Sequence, residues 1–139
     1  MGQQQLLLII LGVIVVGIAV AVGITMFTDN AINANRDAVT SDLLNFAARA
    51  QQFYRRPVAL GGGGNSFVGL TADATGLKKL TNLASGKNAN GTYTVKTAGT
   101  ANQVTLEGVG TEQAPDGSKV TMDIYCRDAA RPDSIVALH

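Results

Sequence analysis

Three successive patterns of apolar residues divide this chain. The first is a continuous run, LLLIILGVIVVGIAVAVGITMF, from Leu6 to Phe27, with no charged side chain before Asp29. About twenty apolar residues cross a hydrocarbon core at about 1.5 Å per residue. A soluble domain rarely buries a helix that is apolar on every face. The run therefore needs greasy surroundings, either lipid or other copies of itself. A secretory signal would have a basic start, a shorter run and a small-residue cleavage site. Here the run follows Met1-Gly2-Gln3-Gln4-Gln5 and leads into Thr28-Asp29-Asn30. The reading is a retained membrane anchor.

The second pattern is one-sided. Ile32, Val39, Leu43, Phe46, Ala50 and Phe53 recur at helical spacing, close to a heptad seam. Asn33, Arg36, Asp37, Ser41, Asp42, Asn45, Arg49 and Gln52 occupy the other faces. Pro57 pushes its predecessor out of the helical region, so the helix ends before it. A single helix from Gln4 to Arg55, about 75 Å long, is predicted. Asp29-Asn30 and the glycines at 12, 17 and 23 are its soft points. The Val39–Phe53 stripe docks on a sheet. A parallel coiled coil is the competing use, but three turns with alanine at a core position are short for one.

The third pattern is alternation. Gly61-Gly62-Gly63-Gly64 reads as a flexible loop. Ser66–Leu70 reads as a short extended segment, and 73–84 as a short helix with Leu77, Leu80 and Ala84 on one face. Residues 92–97, 103–109 and 119–126 alternate polar and apolar positions and are rich in β-branched residues. Turns at Gly99–Asn102 and Pro115-Asp116-Gly117 separate them. Val104, Leu106, Val120, Met122 and Ile124 form the face toward the long helix. Ser134–Leu138 is a candidate edge strand. The predicted class is α+β: a long N-terminal helix, apolar then amphipathic, packed on a 3–4-stranded antiparallel sheet. Two regions follow, an apolar helix segment at 1–28 and a globular head at 29–139 that includes the amphipathic half of the helix.

Composition narrows the chemistry. The 139 residues carry a net charge of +1, so no electrostatic feature points to nucleic acid. With one cysteine, Cys126, neither an intramolecular disulfide nor a CxxC site can form. His139 is the single histidine, which leaves histidine-based catalysis little to work with. The glycine run lacks the following Lys-Ser/Thr of a phosphate loop. Asn90-Gly91-Thr92 fits a glycosylation acceptor, yet Asn-Gly is foremost a turn pair. Asp116, Asp123, Asp128 and Asp133 match no calcium loop and read as solvated carboxylates. Neither a catalytic site nor a cofactor or metal site is predicted. The small-xxx-small pairs Gly17/Ala21 and Ala19/Gly23 are more specific, because they let helices approach closely in an apolar medium.

This layout resembles the type IV pilin and pseudopilin superfamily: an apolar segment running into an amphipathic helix, a Gly-rich loop, then an antiparallel sheet. The stretches Asn35–Leu43 and Ala47–Tyr54 are similar to the second half of a pilin helix. The resemblance implies a non-enzymatic filament subunit that waits at the inner membrane and assembles with itself into a cell-surface fibre. Its partners would be the membrane, its own copies and pilus machinery, including a prepilin peptidase that cuts after Gly2 before methylation of the new amine. The implied packing surface is Leu6, Leu7, Leu8, Ile9, Ile10, Leu11, Gly12, Val13, Gly17, Ala19, Ala21, Gly23 and Phe27. The chain departs from the pilin pattern in its short, uncharged leader and in Leu7 where mature pilins carry glutamate. Gln3, Gln4 and Gln5 would replace that charge by amide hydrogen bonds. The rival readings are a solitary membrane-anchored envelope domain and a minor pseudopilin of a secretion or uptake system.

Overall fold

A computed structural model describes residues 2–83 and 85–127 and the backbone of 132–138. Helix α1, Gly2–Arg55, is continuous over 54 residues, about 80 Å at the helical rise. Its first half closes its own backbone hydrogen bonds, as any segment surrounded by apolar matter must. Neither the three glycines nor Asp29-Asn30 interrupts it. Where polar residues begin, the Thr25 and Thr28 hydroxyls donate back to the carbonyls of Ala21 (2.9 Å) and Ile24 (3.0 Å). Each hydroxyl is thus satisfied inside the helix.

The glycine run is the helix cap rather than a loose loop. The amides of Gly63, Gly64 and Asn65 donate to the carbonyls of Phe53 (2.8 Å), Arg56 (2.9 Å) and Tyr54 (2.7 Å). These carbonyls are left without partners when a helix ends. Gly63 lies so close to the Ser66 carbonyl that a Cβ would overlap it. Close approach, more than flexibility, explains glycine there. Ser66–Leu70 is likewise a turn and not an extended segment, closed by the Leu70 amide on the Phe67 carbonyl (3.2 Å). Its Phe67 and Leu70 side chains are buried.

Helix α2, Ala74–Leu80, starts at an Asp73 cap whose carboxylate accepts from the amides of Thr75 (2.9 Å) and Gly76 (3.0 Å). It stops short of the predicted end, and Ala84 lies outside the described residues. Leu77 and Leu80 are buried as predicted.

The sheet is an antiparallel meander in chain order: β1 Gly91–Thr97, β2 Gln103–Gln113, β3 Lys119–Arg127 and β4 Pro132–Leu138. Strand β2 runs beyond the predicted Val109 by way of a register irregularity between Val109 and Gln113. Helix α1 lies across β2 and β3, and α2 covers β1. Val104, Leu106, Val120, Met122 and Ile124 are all buried with Val39, Leu43, Phe46, Ala50 and Phe53. Gly108, paired with Tyr93 and Met122, marks a close crossing of helix and sheet. A Cβ there would stand 2.8 Å from Val39 Cγ1 and 3.0 Å from the Tyr93 ring. The long helix is therefore seated against backbone at this point. The fold is α+β, a long N-terminal helix packed on an antiparallel sheet.

Candidate functional site

The feature that stands out is the uncovered half of α1. The large apolar side chains from Leu6 to Phe27 are between 51% and 78% exposed. This is the one described helix long and apolar enough to cross a membrane, with a mean hydropathy of 3.2 over its best window and none of that window buried. Removing such side chains from water is worth about 1.5–3 kcal/mol each, so the segment needs a cover that this fold does not supply. Gly12, Gly17 and Gly23 have nothing within 4 Å of a would-be Cβ. Their smallness serves no packing within the chain. Gln3, Gln4 and Gln5 are exposed on the first turns and make no side-chain hydrogen bond among the described residues.

The rest of α1 explains how that rod is aimed. Asn35 and Asp42, two turns apart on one side, bind the helix to the sheet. The Asn35 amide donates to the Asn90 carbonyl at 2.8 Å, and its oxygen accepts from the Glu112 amide at 3.4 Å. Asp42 accepts from the Tyr93 hydroxyl at 2.6 Å and from the Asn88 and Asn90 side chains at 2.8 and 2.9 Å. Burial pushes the Asp42 carboxyl up, but the bonds from Tyr93, Asn90 and Asn88 outweigh it and hold the group below its usual value. Burial first, and then the facing carboxylate, push the Tyr93 phenol well above its ordinary range. Tyr93 also meets Phe46 edge-on, with ring centroids 4.9 Å apart. The periodicity assigned Asp42 to a solvated face and gave Asn35 no role. An Asx-rich loop ahead of a strand, 88–90, was the available signal for its partners.

The other polar candidates resolve into structural roles. Asp123, expected to be solvated, is 2% exposed and accepts from Lys96 at 2.6 Å. Lys96 also meets Glu107 at 3.1 Å, linking β1, β2 and β3 on the face away from α1. Asp116 closes the β2–β3 turn by accepting from the Ser118 amide and hydroxyl. Asp128 and the Asp133 side chain lie outside the described residues, as does His139. Asn90 is engaged with Asp42 and Asn35, consistent with its turn reading. Cys126 is buried, and burial pushes its thiol up to about 12. Among the described residues, no three His, Cys, Asp or Glu side chains gather as a metal site would require.

The arrangement is thus an apolar rod on a rigid mount. It can insert into lipid or pack against like rods. Compared with protein-family models, curated proteins and solved structures, the chain gives no match.

Proposed function

We propose that this chain is a structural, non-enzymatic subunit of a type IV pilus-like helical filament, polymerising through Leu6–Phe27. One observation carries the reading: a charge-free apolar helix, exposed along its length, continues without a break into a helix buried in a folded head. Apolar contact is available in lipid and in a bundle of such rods, so moving from one to the other changes little hydrophobic energy. Close packing then decides association, and Gly17, Ala21, Ala19 and Gly23 supply it. Head-to-tail contacts that do not close give an open fibre with the heads outside.

On this proposal the monomer waits in the inner membrane, the assembly machinery extracts it, and a prepilin peptidase cuts after Gly2 before the new amine is methylated. The glutamines at 3–5 then meet neighbouring N-termini through amide bonds. Shearing cells and recovering the chain in high-molecular-weight material tests the reading. Recovery only with membranes would support the second reading, a solitary anchored domain or a minor pseudopilin. The span of Leu6–Phe27, about 33 Å, fits one hydrocarbon core, as both readings require, so the shear experiment decides between them.

A further inference from the structure

Residues 44–83, which reach the end of the head farthest from the apolar segment, have unbalanced charge. Between Leu44 and Leu83 stand Arg49, Arg55, Arg56, Lys78 and Lys79, against one acidic residue, Asp73. The Asp73 carboxylate is taken up by the Thr71 hydroxyl and the first amides of α2. Arg49, Arg56 and Lys79 line an open cavity of about 320 Å³ with Gln52, Phe53 and Leu80. Among the described residues, no carboxylate lines it. Arg49 is fixed by donating to the Leu80 carbonyl at 3.3 Å, and Lys79 by donating to the Gly69 carbonyl at 2.7 Å. A guanidinium has five N–H donors and an ammonium three, so both keep donors to offer.

A second observation narrows the partner. Val58, Leu60 and Val68 are 71%, 71% and 62% exposed at this same end. Val68 adjoins Gly69, which holds Lys79. Val58 packs on Gly64, whose amide is held by the Arg56 carbonyl. Cations alone suit any polyanion. Cations beside open aliphatics suit a surface that is anionic outside and apolar just beneath, which is phospholipid. Single-stranded nucleic acid would instead use open aromatic rings for stacking, and Phe53 is buried. Position settles which membrane. From Asp29 to Arg55 the helix rises about 40 Å, so a straight α1 holds this end clear of a bilayer that encloses Leu6–Phe27.

We propose that the Arg49–Arg56–Lys79 cavity, with Val58, Leu60 and Val68, docks on the anionic phospholipid surface of a second, facing membrane. Headgroup phosphates enter the cavity and the aliphatics enter the acyl boundary. The proposal needs only the head, so it stands apart from polymerisation.

The test holds the full chain by its apolar helix in phosphatidylcholine nanodiscs and adds separate vesicles, read by co-flotation. Vesicles containing phosphatidylglycerol should capture the discs, and pure phosphatidylcholine vesicles should not. Replacing Arg49, Arg56 and Lys79 by Gln should weaken capture on the order of 100-fold, from the usual contribution of each basic residue near an anionic surface. Val58→Ser with Leu60→Ser should also weaken it at unchanged charge. Should the triple variant unfold, Arg56→Gln alone carries the test, with a loss of about 5-fold. Equal capture by neutral vesicles, no loss in these variants, or equal competition by inorganic phosphate or a single-stranded oligonucleotide overturns the proposal.

Discussion

Replacing Tyr93 by Phe removes a single oxygen from the joint between helix and sheet. The Tyr93 hydroxyl makes the shortest of the three side-chain bonds that Asp42 accepts, 2.6 Å. The ring is 1% exposed and its edge-on contact with Phe46 survives the change. A hydrogen bond to a charged group contributes about 1.5–3 kcal/mol. Asp42 is only half-buried, so solvent screening places the loss near 1.5 kcal/mol. The pH dependence follows from the depressed Asp42 carboxyl. A group depressed in the folded state contributes stability above its unfolded value and loses it as pH falls through the folded one. The gap between wild type and Tyr93→Phe should therefore be about 1.5 kcal/mol at pH 7 and narrow below about pH 4, as Asp42 is protonated in both. Asp73 and Asp116 are also depressed by their hydrogen bonds, but they drift alike in both proteins and cancel. Urea unfolding of the full chain in neutral detergent, followed by the near-ultraviolet signal of Tyr54 and Tyr125, measures the gap. A gap that is absent at pH 7, or constant down to pH 3, refutes the reasoning.

Other substitutions test other parts of the account. Leu43→Ala, at a fully buried position between α1 and the sheet, should lower head stability by about 2–5 kcal/mol in the same urea titration. Gly63→Ala should destabilise the head by about 1–3 kcal/mol, because its Cβ would overlap the Ser66 carbonyl; hydrogen exchange at the Gly63–Asn65 amides should rise with it. Gly17→Leu meets nothing within the chain and should leave head unfolding unchanged. It should nevertheless reduce recovery in sheared material about 10-fold, from lost helix–helix packing.

The elements that run on period alone were legible. The stripe of Val39, Leu43, Phe46, Ala50 and Phe53 and the alternation through Val104–Leu106 and Val120–Ile124 gave both layers of the fold and their facing sides. What the pattern missed depends on contacts across long sequence separation. Asp42 looks like a solvated helix residue until residues 88–93 fold over it. Asp123 looks like one carboxylate of a scattered group until Lys96, two strands away, reaches it. Ala47 is fully buried, yet alanine contributes little to a periodicity count. The glycine run signalled a loop by composition, and only the helix end beside it shows that Gly62 and Gly63 are packed there for closeness. The apolar rod was legible throughout, since its signal is local, while its partner lies outside the chain.

The central claim is that Leu6–Phe27 is the contact surface between copies in a fibre. An Ala21→Cys variant tests it directly, because the native Cys126 thiol is buried and raised to about 12, and so stays unreactive. A flexible bis-maleimide applied to material sheared from cells should yield covalent dimers linked between position-21 thiols, its spacer bridging the offset between head-to-tail neighbours. Recovery of the variant solely in the membrane fraction, as a monomer that the cross-linker does not join, would contradict the claim.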